Sequence, residues 1–179
     1  VVVSGRQAPR NDAWSIVKDD YLKSFPSGVD QLPEWITVSA PISLFHKGTW
    51  EKYKFYTTSW GSEDTELGSR MKKDGLKLAY AHRCMAMHSH NYNSKQCLGR
   101  GFVEGDADYF IYKMGLLQII RKSLNSVVRG LLHTFRFGKG GFNNLTSTLF
   151  KELGYMQGYI KARARSKKVD QLVPYKSYQ

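Results

Sequence analysis

The 179-residue chain has few cysteines and prolines and contains no long apolar run. Its two cysteines, Cys84 and Cys97, form no C-x-x-C pair, which argues against a disulfide framework and favours a reducing compartment. No uncharged apolar run approaches the length of a transmembrane helix. No basic-then-apolar signal peptide opens the chain either. We therefore expect a cytoplasmic protein.

Acidic residues are almost absent from the C-terminal third. Residues 109–168 hold 12 Lys and Arg against a single acid, Glu152, whereas residues 1–108 hold 14 Lys and Arg against 13 acids. A basic surface favours phosphate, nucleic acid or an anionic membrane as its partner and says nothing about the fold. The composition of 41% hydrophobic and 23% charged residues is that of a globular chain.

The motif W-G-S-E-D-T-E-L-G-S-R, Trp60 to Arg70, carries the signals of a helix start. Ser62 is a suitable N-cap, and three acids follow in the first turn, where the helix dipole favours anions. Gly75 is a suitable C-terminal stop. These signals predict a helix over residues 62–74, and the loose alternation that follows predicts a strand over residues 76–87.

A second motif, H-S-H-N-Y-N-S-K-Q, begins at His88, where the predicted strand ends. A helix start with carboxylates beside a strand end with imidazoles is suited to a metal site or to acid–base chemistry. The alternative is that Glu63 and Asp64 are ordinary helix-start acids and that His88 and His90 form a structural pair.

The ordered set of residues in these motifs resembles the acceptor half of inverting family-two glycosyltransferases, which have a GT-A fold. The residues that carry the resemblance are Glu63, Asp64, Leu67, Arg70, Gly75, Tyr80, His88, His90 and Tyr92. The segments Ser4 to Ala13 and Thr37 to Tyr53 are also similar to parts of these enzymes. The resemblance covers roughly residues 1–105.

The resemblance implies that Asp64 is the general base that deprotonates the acceptor hydroxyl. It implies that His88 is a ligand to a divalent cation, Mn²⁺ or Mg²⁺, beside the donor diphosphate. Donor or acceptor contacts are expected from Arg6, Gln7, Trp60, Glu63, His90 and Arg100. For Arg6 the alternative is a solvated loop side chain, and for Arg100 a surface or structural role, since its Q-C-L-G-R segment lacks the Trp of the processive signature.

Asp106-Ala107-Asp108 matches the D-x-D string of a diphosphate-binding metal site. We reject it, because it follows the histidine motif and opens a helical pattern with no strand before it. In the resembled family D-x-D precedes the segment that begins at Ser4. The nucleotide-binding half is therefore expected before Val1.

The rest of the chain is predicted to be helical after residue 94, with less regular structure before the first motif. Residues 1–35 are predicted to be mostly loop with short elements. Trp35 to Phe45 is predicted to be a strand interrupted at Pro41, and Lys47 to Tyr53 a short helix.

The clearest periodicity runs from Asp108 to Arg136, followed by a break over 137–144 and a second helix over 145–165. Apolar residues recur at helical spacing in the first of these helices, and the predicted basic face is formed by Lys122, Arg129, His133 and Arg136. Such a helix suits an anionic membrane surface, and the alternative is a core-packing helix with a solvated basic face.

The expected fold class is α/β, with a partial GT-A-like catalytic half over residues 1–105, a basic helical segment over 106–168 and a tail over 169–179. The expected function is transfer of a sugar, with inversion, from a nucleotide-sugar donor to a glycan or polyprenyl-linked acceptor at the inner face of the membrane. The alternative is a basic module that binds nucleic acid or a membrane surface without catalysis. Nucleic acid is not the expected partner, because no nucleic-acid motif is present.

Overall fold

The computed structural model describes residues 1–55, 61–137 and 139–166, with the side chains of residues 136–143 excepted. The fold is mixed α/β, as the sequence predicts, with a small sheet and several helices. The strands are β1 (Val2–Ala8), β2 (Ser43–Phe45) and β3 (Leu78–Met87). The helices are α1 (Ser15–Ser24), α2 (Lys47–Lys52), α3 (Glu63–Lys73), α4 (Ser94–Tyr112), α5 (Leu116–Phe137) and α6 (Lys139–Ser166).

The chain divides into two compact units. Among the described residues, the first unit comprises 1–55 and 63–91 and the second comprises 61–62 and 92–166. Residue 105, where the sequence predicts the end of the acceptor-side domain, lies within α4. The predicted tail over 169–179 lies outside the described residues.

The sheet of the first unit has the strand order β2-β1-β3. The central strand β1 is antiparallel to β2 and parallel to β3, so the carboxyl ends of β1 and β3 lie at the same edge. A register shift between Gly5 and Arg6 interrupts the parallel ladder. Such bulges change the direction of side chains locally.

Helix α3 confirms the helix predicted from the first motif, and β3 confirms the strand after it. Leu67 and Met71, four residues apart on α3, are fully buried in a core that also contains Val2, Val38 and Tyr53. Glycine is suited to the end of α3, because Gly75 takes the left-handed conformation that closes the helix, with φ of 75°.

The second unit is built on the contact between α4 and α6. Gly101 and Gly105 of α4 lie directly against the α6 backbone, and Gly154 and Gly158 of α6 lie against the α4 backbone. A Cβ atom at any of these four positions would clash with a carbonyl oxygen of the opposite helix. Glycine inside a helix ordinarily weakens it, whereas Gly154 and Gly158 here permit close packing of α6 on α4.

The predicted strand over Trp35–Phe45 is wrong for most of its length. Within this range only Ser43–Phe45, β2, forms a strand, and a short 3₁₀ turn over Ala40–Ile42 precedes it. Pro41 lies in that turn and lacks the N–H that a strand ladder would use. Residues 1–35, predicted as mostly loop with short elements, contain β1 and α1. Helix α1 buries no residue, so its sequence carries little of the apolar periodicity that predicts a helix.

The single helix predicted over 108–136 is two helices in the structure. Lys113 takes a left-handed conformation, with φ of 47° and ψ of 41°, and ends α4, so α5 begins only at Leu116. The predicted break over 137–144 is also wrong where it is described, since Lys139 to Asn144 belong to α6. Gly138, inside that predicted break, lies outside the described residues. None of the helices over the described ranges is both long enough and apolar enough to cross a bilayer.

Candidate functional site

Asp64 lies in the first turn of α3 and its carboxylate is held by backbone N–H groups. Oδ1 accepts a hydrogen bond from the Thr65 N–H at 2.8 Å, and Oδ2 accepts one from the Ala40 N–H at 3.3 Å. The Asp64 side chain is only partly buried. The carboxylate therefore combines a defined orientation with access to solvent.

The turn that holds Asp64 is joined to β1 by hydroxyl groups. The Ser39 N–H donates to Ser4 Oγ at 3.2 Å, and Gln7 Nε2 donates to Ser39 Oγ at 2.5 Å. Ser43 Oγ lies 2.9 Å from Ser4 Oγ and donates to the Ser39 carbonyl at 2.7 Å. The structure thus brings Gln7 and Asp64 to the same turn, Ser39–Ala40, near the carboxyl end of β1.

Gln7 is buried, and its side chain binds protein rather than pointing freely into solvent. The geometry therefore gives Gln7 a positioning role toward the turn that holds Asp64. A direct contact of Gln7 with a donor or acceptor, as the resemblance implies, stays a prediction.

The segments that follow β1 and β3 are bound to each other at the shared carboxyl edge. The Arg10 N–H donates to Ser89 Oγ at 3.0 Å, and Asn91 accepts from the Trp14 N–H and donates to the Asp12 carbonyl. Arg10 also pairs with Asp12 through two hydrogen bonds. In open α/β sheets ligands bind at this kind of edge.

His88 and His90 follow β3 and lie at this edge. Their rings meet edge to face with centroids 4.8 Å apart. Partial burial, together with the neighbouring charge of His90, lowers the pKa of His88. The structure therefore brings together the two histidines that the sequence singles out, with His88 favoured in its neutral form.

A cation site for Mn²⁺ or Mg²⁺ needs more than this pair of histidines. Both ions prefer oxygen ligands, and no group of three or more His, Cys, Asp or Glu that could hold a metal ion occurs among the described residues. His88 and His90 by themselves therefore do not fit a Mn²⁺ or Mg²⁺ site. The role of His88 as a metal ligand stays a prediction.

Arg6 has a different environment from Gln7. Its Nε atom is buried without a hydrogen-bond partner, and its positive charge acts on the phenol of Tyr80. Burial raises the pKa of Tyr80, and the charge of Arg6 opposes that shift. A buried N–H donor of this kind is costly unless something satisfies it.

Three more residues were predicted to contact the donor or the acceptor, namely Glu63, Trp60 and Arg100. Glu63 is the first residue of α3 and is partly buried, and Trp60 lies outside the described residues. Arg100 belongs to α4, in the second unit, where it pairs with Glu104 at 2.8 Å. The structure therefore does not assign Arg100 to the unit that carries Asp64.

The rejected Asp106-Ala107-Asp108 string lies in α4, as its helical pattern predicts, and both carboxylates have protein partners. Asp106 pairs with Arg165 at 2.9 Å. Asp108 accepts from the Tyr155 hydroxyl at 2.7 Å and from Lys122 at 3.1 Å. These contacts join α4 to the other helices of the second unit.

Sequence reasoning missed the polar groups that position the site, above all Ser4, Ser39 and Ser43. Except for the bond from Ser43 to the Ser39 carbonyl, their partners lie 32 to 39 residues away along the chain. The available signal was weak: several small polar residues in otherwise apolar segments. Compared with protein-family models, with curated proteins and with solved structures, the chain has no match.

Proposed function

We propose that the first unit is the acceptor side of an inverting nucleotide-sugar glycosyltransferase, with Asp64 as the general base. The observation that carries this proposal is the position of the Asp64 carboxylate. It is oriented by two backbone N–H groups, partly open to solvent, and linked through Ser39–Ala40 to the carboxyl end of β1.

The chemistry requires a carboxylate that can reach an acceptor hydroxyl. Asp64 takes the hydroxyl proton as the acceptor oxygen bonds to the anomeric carbon. The bond between that carbon and the nucleotide diphosphate breaks, and the diphosphate leaves on the opposite face with the bonding electron pair. Because displacement is direct, the anomeric configuration inverts.

Two features at the same sheet support ligand binding there. The buried Nε atom of Arg6 could be satisfied by an oxyanion, and an Arg side chain suits phosphate. The loops after β1 and β3 are held together by Arg10, Ser89 and Asn91 at the edge where ligands bind in such sheets. Gln7 acts indirectly in this proposal, by fixing the turn that orients Asp64.

The test is sugar transfer by the protein as the cell makes it. The donors are UDP-, GDP- and dTDP-sugars with Mn²⁺ or Mg²⁺, and the acceptors are glycans and polyprenyl-linked saccharides. Asp64→Asn removes the base but keeps the size of the side chain, so kcat should fall by about 10²–10⁴-fold. The donor Kd, measured by calorimetry, should hardly change.

The matched control is Glu51→Gln, which neutralises an exposed acid of α2 in the same unit and should leave kcat unchanged. Near-normal turnover in Asp64→Asn would show that Asp64 is not the base. Absence of transfer from every donor would remove the glycosyltransferase proposal as a whole.

A further inference from the structure

The most hydrophobic side of α5 does not face the rest of the second unit. Helix α5 packs on α6 through Ile119, which is 1% exposed, through Ser123, and through Gly130, which lies against Thr148. The large apolar residues with regular helical spacing are elsewhere, since Leu117 is 81% exposed and Phe135 is 84% exposed. The fold therefore buries the side of α5 that carries Ile119 and Ser123 and leaves exposed the apolar stripe that carries Leu117 and Phe135.

Helix α6 carries a matching stripe. Gly154 and Gly158 face α4, whereas Leu149, Leu153 and Ile160 lie on the opposite side at helical spacing and are exposed. On α5 the side that faces α4 is marked by Lys122, which binds Asp108. Both stripes therefore point away from α4.

We call this combined surface the outer face. It is formed by exposed apolar residues of two neighbouring antiparallel helices, namely Leu117, Leu124, Phe135, Leu149, Leu153 and Ile160. Monomeric proteins rarely expose a contiguous apolar surface of this kind unless it binds something.

The basic residues of α5 are not placed as the sequence predicts, and their actual positions indicate what the outer face binds. Lys122 does not lie on a free face, because its ammonium group binds Asp108 and the Tyr155 hydroxyl. The exposed cations next to the outer face are instead Arg121, one helical turn from both Leu117 and Leu124, and Arg163, three residues after Ile160.

We propose that the outer face binds an anionic membrane surface, with α5 and α6 lying in the plane of the headgroups. Over residues 109–166 the chain has 10 Lys and Arg against Glu152 alone. Three of these cations, Lys122, Lys151 and Arg165, pair with acids of α4, whereas Arg121 and Arg163 border the outer face, so the edge of that face complements anionic lipid. A second copy of this chain is a poorer fit, because pairing two outer faces would bring two strongly basic surfaces together.

The test is flotation of the full chain with vesicles, without nucleotide sugar. Vesicles of phosphatidylglycerol and phosphatidylcholine should bind the protein at low salt and release it as salt rises, and vesicles of phosphatidylcholine alone should bind little. Leu124→Gln with Phe135→Gln should weaken binding by about tenfold or more, because two apolar side chains no longer enter the lipid. Leu44→Gln, at an exposed apolar position of β2, is the matched control and should bind like the wild type.

A second variant tests the charge without touching the apolar surface. Arg121→Gln with Arg163→Gln should lower binding at low salt and reduce its dependence on salt, while the circular dichroism spectrum stays unchanged. The proposal is overturned if the wild type stays free of anionic vesicles at low salt, or if the Leu124/Phe135 variant binds as well as the wild type. It is also overturned if ultracentrifugation shows a dimer that this variant converts to a monomer. The result does not depend on sugar transfer, so it stands or falls separately from the glycosyltransferase proposal.

Discussion

Glu66 and Arg70 of α3 have the same i, i+4 spacing as Lys47 and Glu51 of α2, but they differ in burial. The Glu66 side chain is 5% exposed and that of Glu51 is 57% exposed. Both oxygens of Glu66 accept from Arg70, which also donates to the Lys54 carbonyl at 2.6 Å. Arg70, one of the residues that carries the family resemblance, thus has a structural role.

Glu66→Gln should therefore destabilise the protein far more than Glu51→Gln. Breaking a fully buried ion pair costs about 3–5 kcal/mol, and the loss here should be smaller because the Arg70 side chain is 23% exposed. An exposed i, i+4 pair contributes only about 0.3–0.5 kcal/mol. Urea denaturation followed by circular dichroism measures both. Equal losses for the two variants would contradict the structural role of the Glu66–Arg70 pair.

The two cysteines should differ in reactivity. Cys84 is exposed on β3, whereas Cys97 is buried in α4 and its thiol donates to the Tyr92 carbonyl at 3.5 Å. Burial raises the pKa of the Cys97 thiol, so less of the reactive thiolate is present at a given pH.

Iodoacetamide should accordingly alkylate Cys84 first. In Cys84→Ser the remaining thiol should react slowly at neutral pH, faster as the pH rises, and at the ordinary rate only after denaturation. Mass spectrometry of timed samples follows each site. Equal rates for the two cysteines of the folded protein would show that Cys97 is not protected.

At the scale of elements, the contact between α4 and α6 can be tested with two glycines of the same helix. Gly105 lies against the Tyr155 backbone, whereas Gly99 has nothing within 4 Å of where its Cβ would lie. Gly105→Ala should cost about 1–3 kcal/mol, because the helices must move apart. Gly99→Ala should be neutral or stabilise by up to about 1 kcal/mol, because alanine is the better helix former. Thermal unfolding compares the two, and a stable Gly105→Ala variant would contradict the close packing.

Elements with strong local signals were predictable from the sequence. Helix α3 has its acids at the start and Gly75 at the end, and β3 follows it with a loose alternation. The break between α4 and α5 was missed because it depends on the left-handed conformation of Lys113, which no local pattern marks. The turn at Ala40–Ile42 lies at the interruption predicted for Pro41, which cannot donate to a ladder, whereas residues 35–39 before it form no strand.

At the scale of the whole molecule, the sequence could not predict which sides of the elements meet. Periodicity shows that Leu117, Leu124 and Phe135 share a side of α5, but not that α5 packs through Ile119 instead. The same holds for the candidate site, where a local motif is enough to identify Asp64. The hydrogen bond from Gln7 to Ser39 could not be predicted in this way, because it joins segments distant in sequence. Contacts of this kind depend on tertiary structure and have no local signature.

The unequal distribution of charge also acts at this scale. Nearly all of the formal net charge of +12 comes from residues 109–168, while the proposed catalytic residue, Asp64, lies in a nearly neutral part of the chain. The proposed chemistry and the proposed membrane contact therefore use different residues. Variants that remove one can be made without altering the other.

The four glycines between α4 and α6 have a consequence for reading mutational data. No side chain fits at Gly101, Gly105, Gly154 or Gly158, although none of them lies in the unit that carries Asp64. A saturation library scored by growth or expression would thus show four intolerant positions spaced in pairs of i, i+4. Such a map would resemble the signature of an active site, yet it would report only how closely two backbones approach.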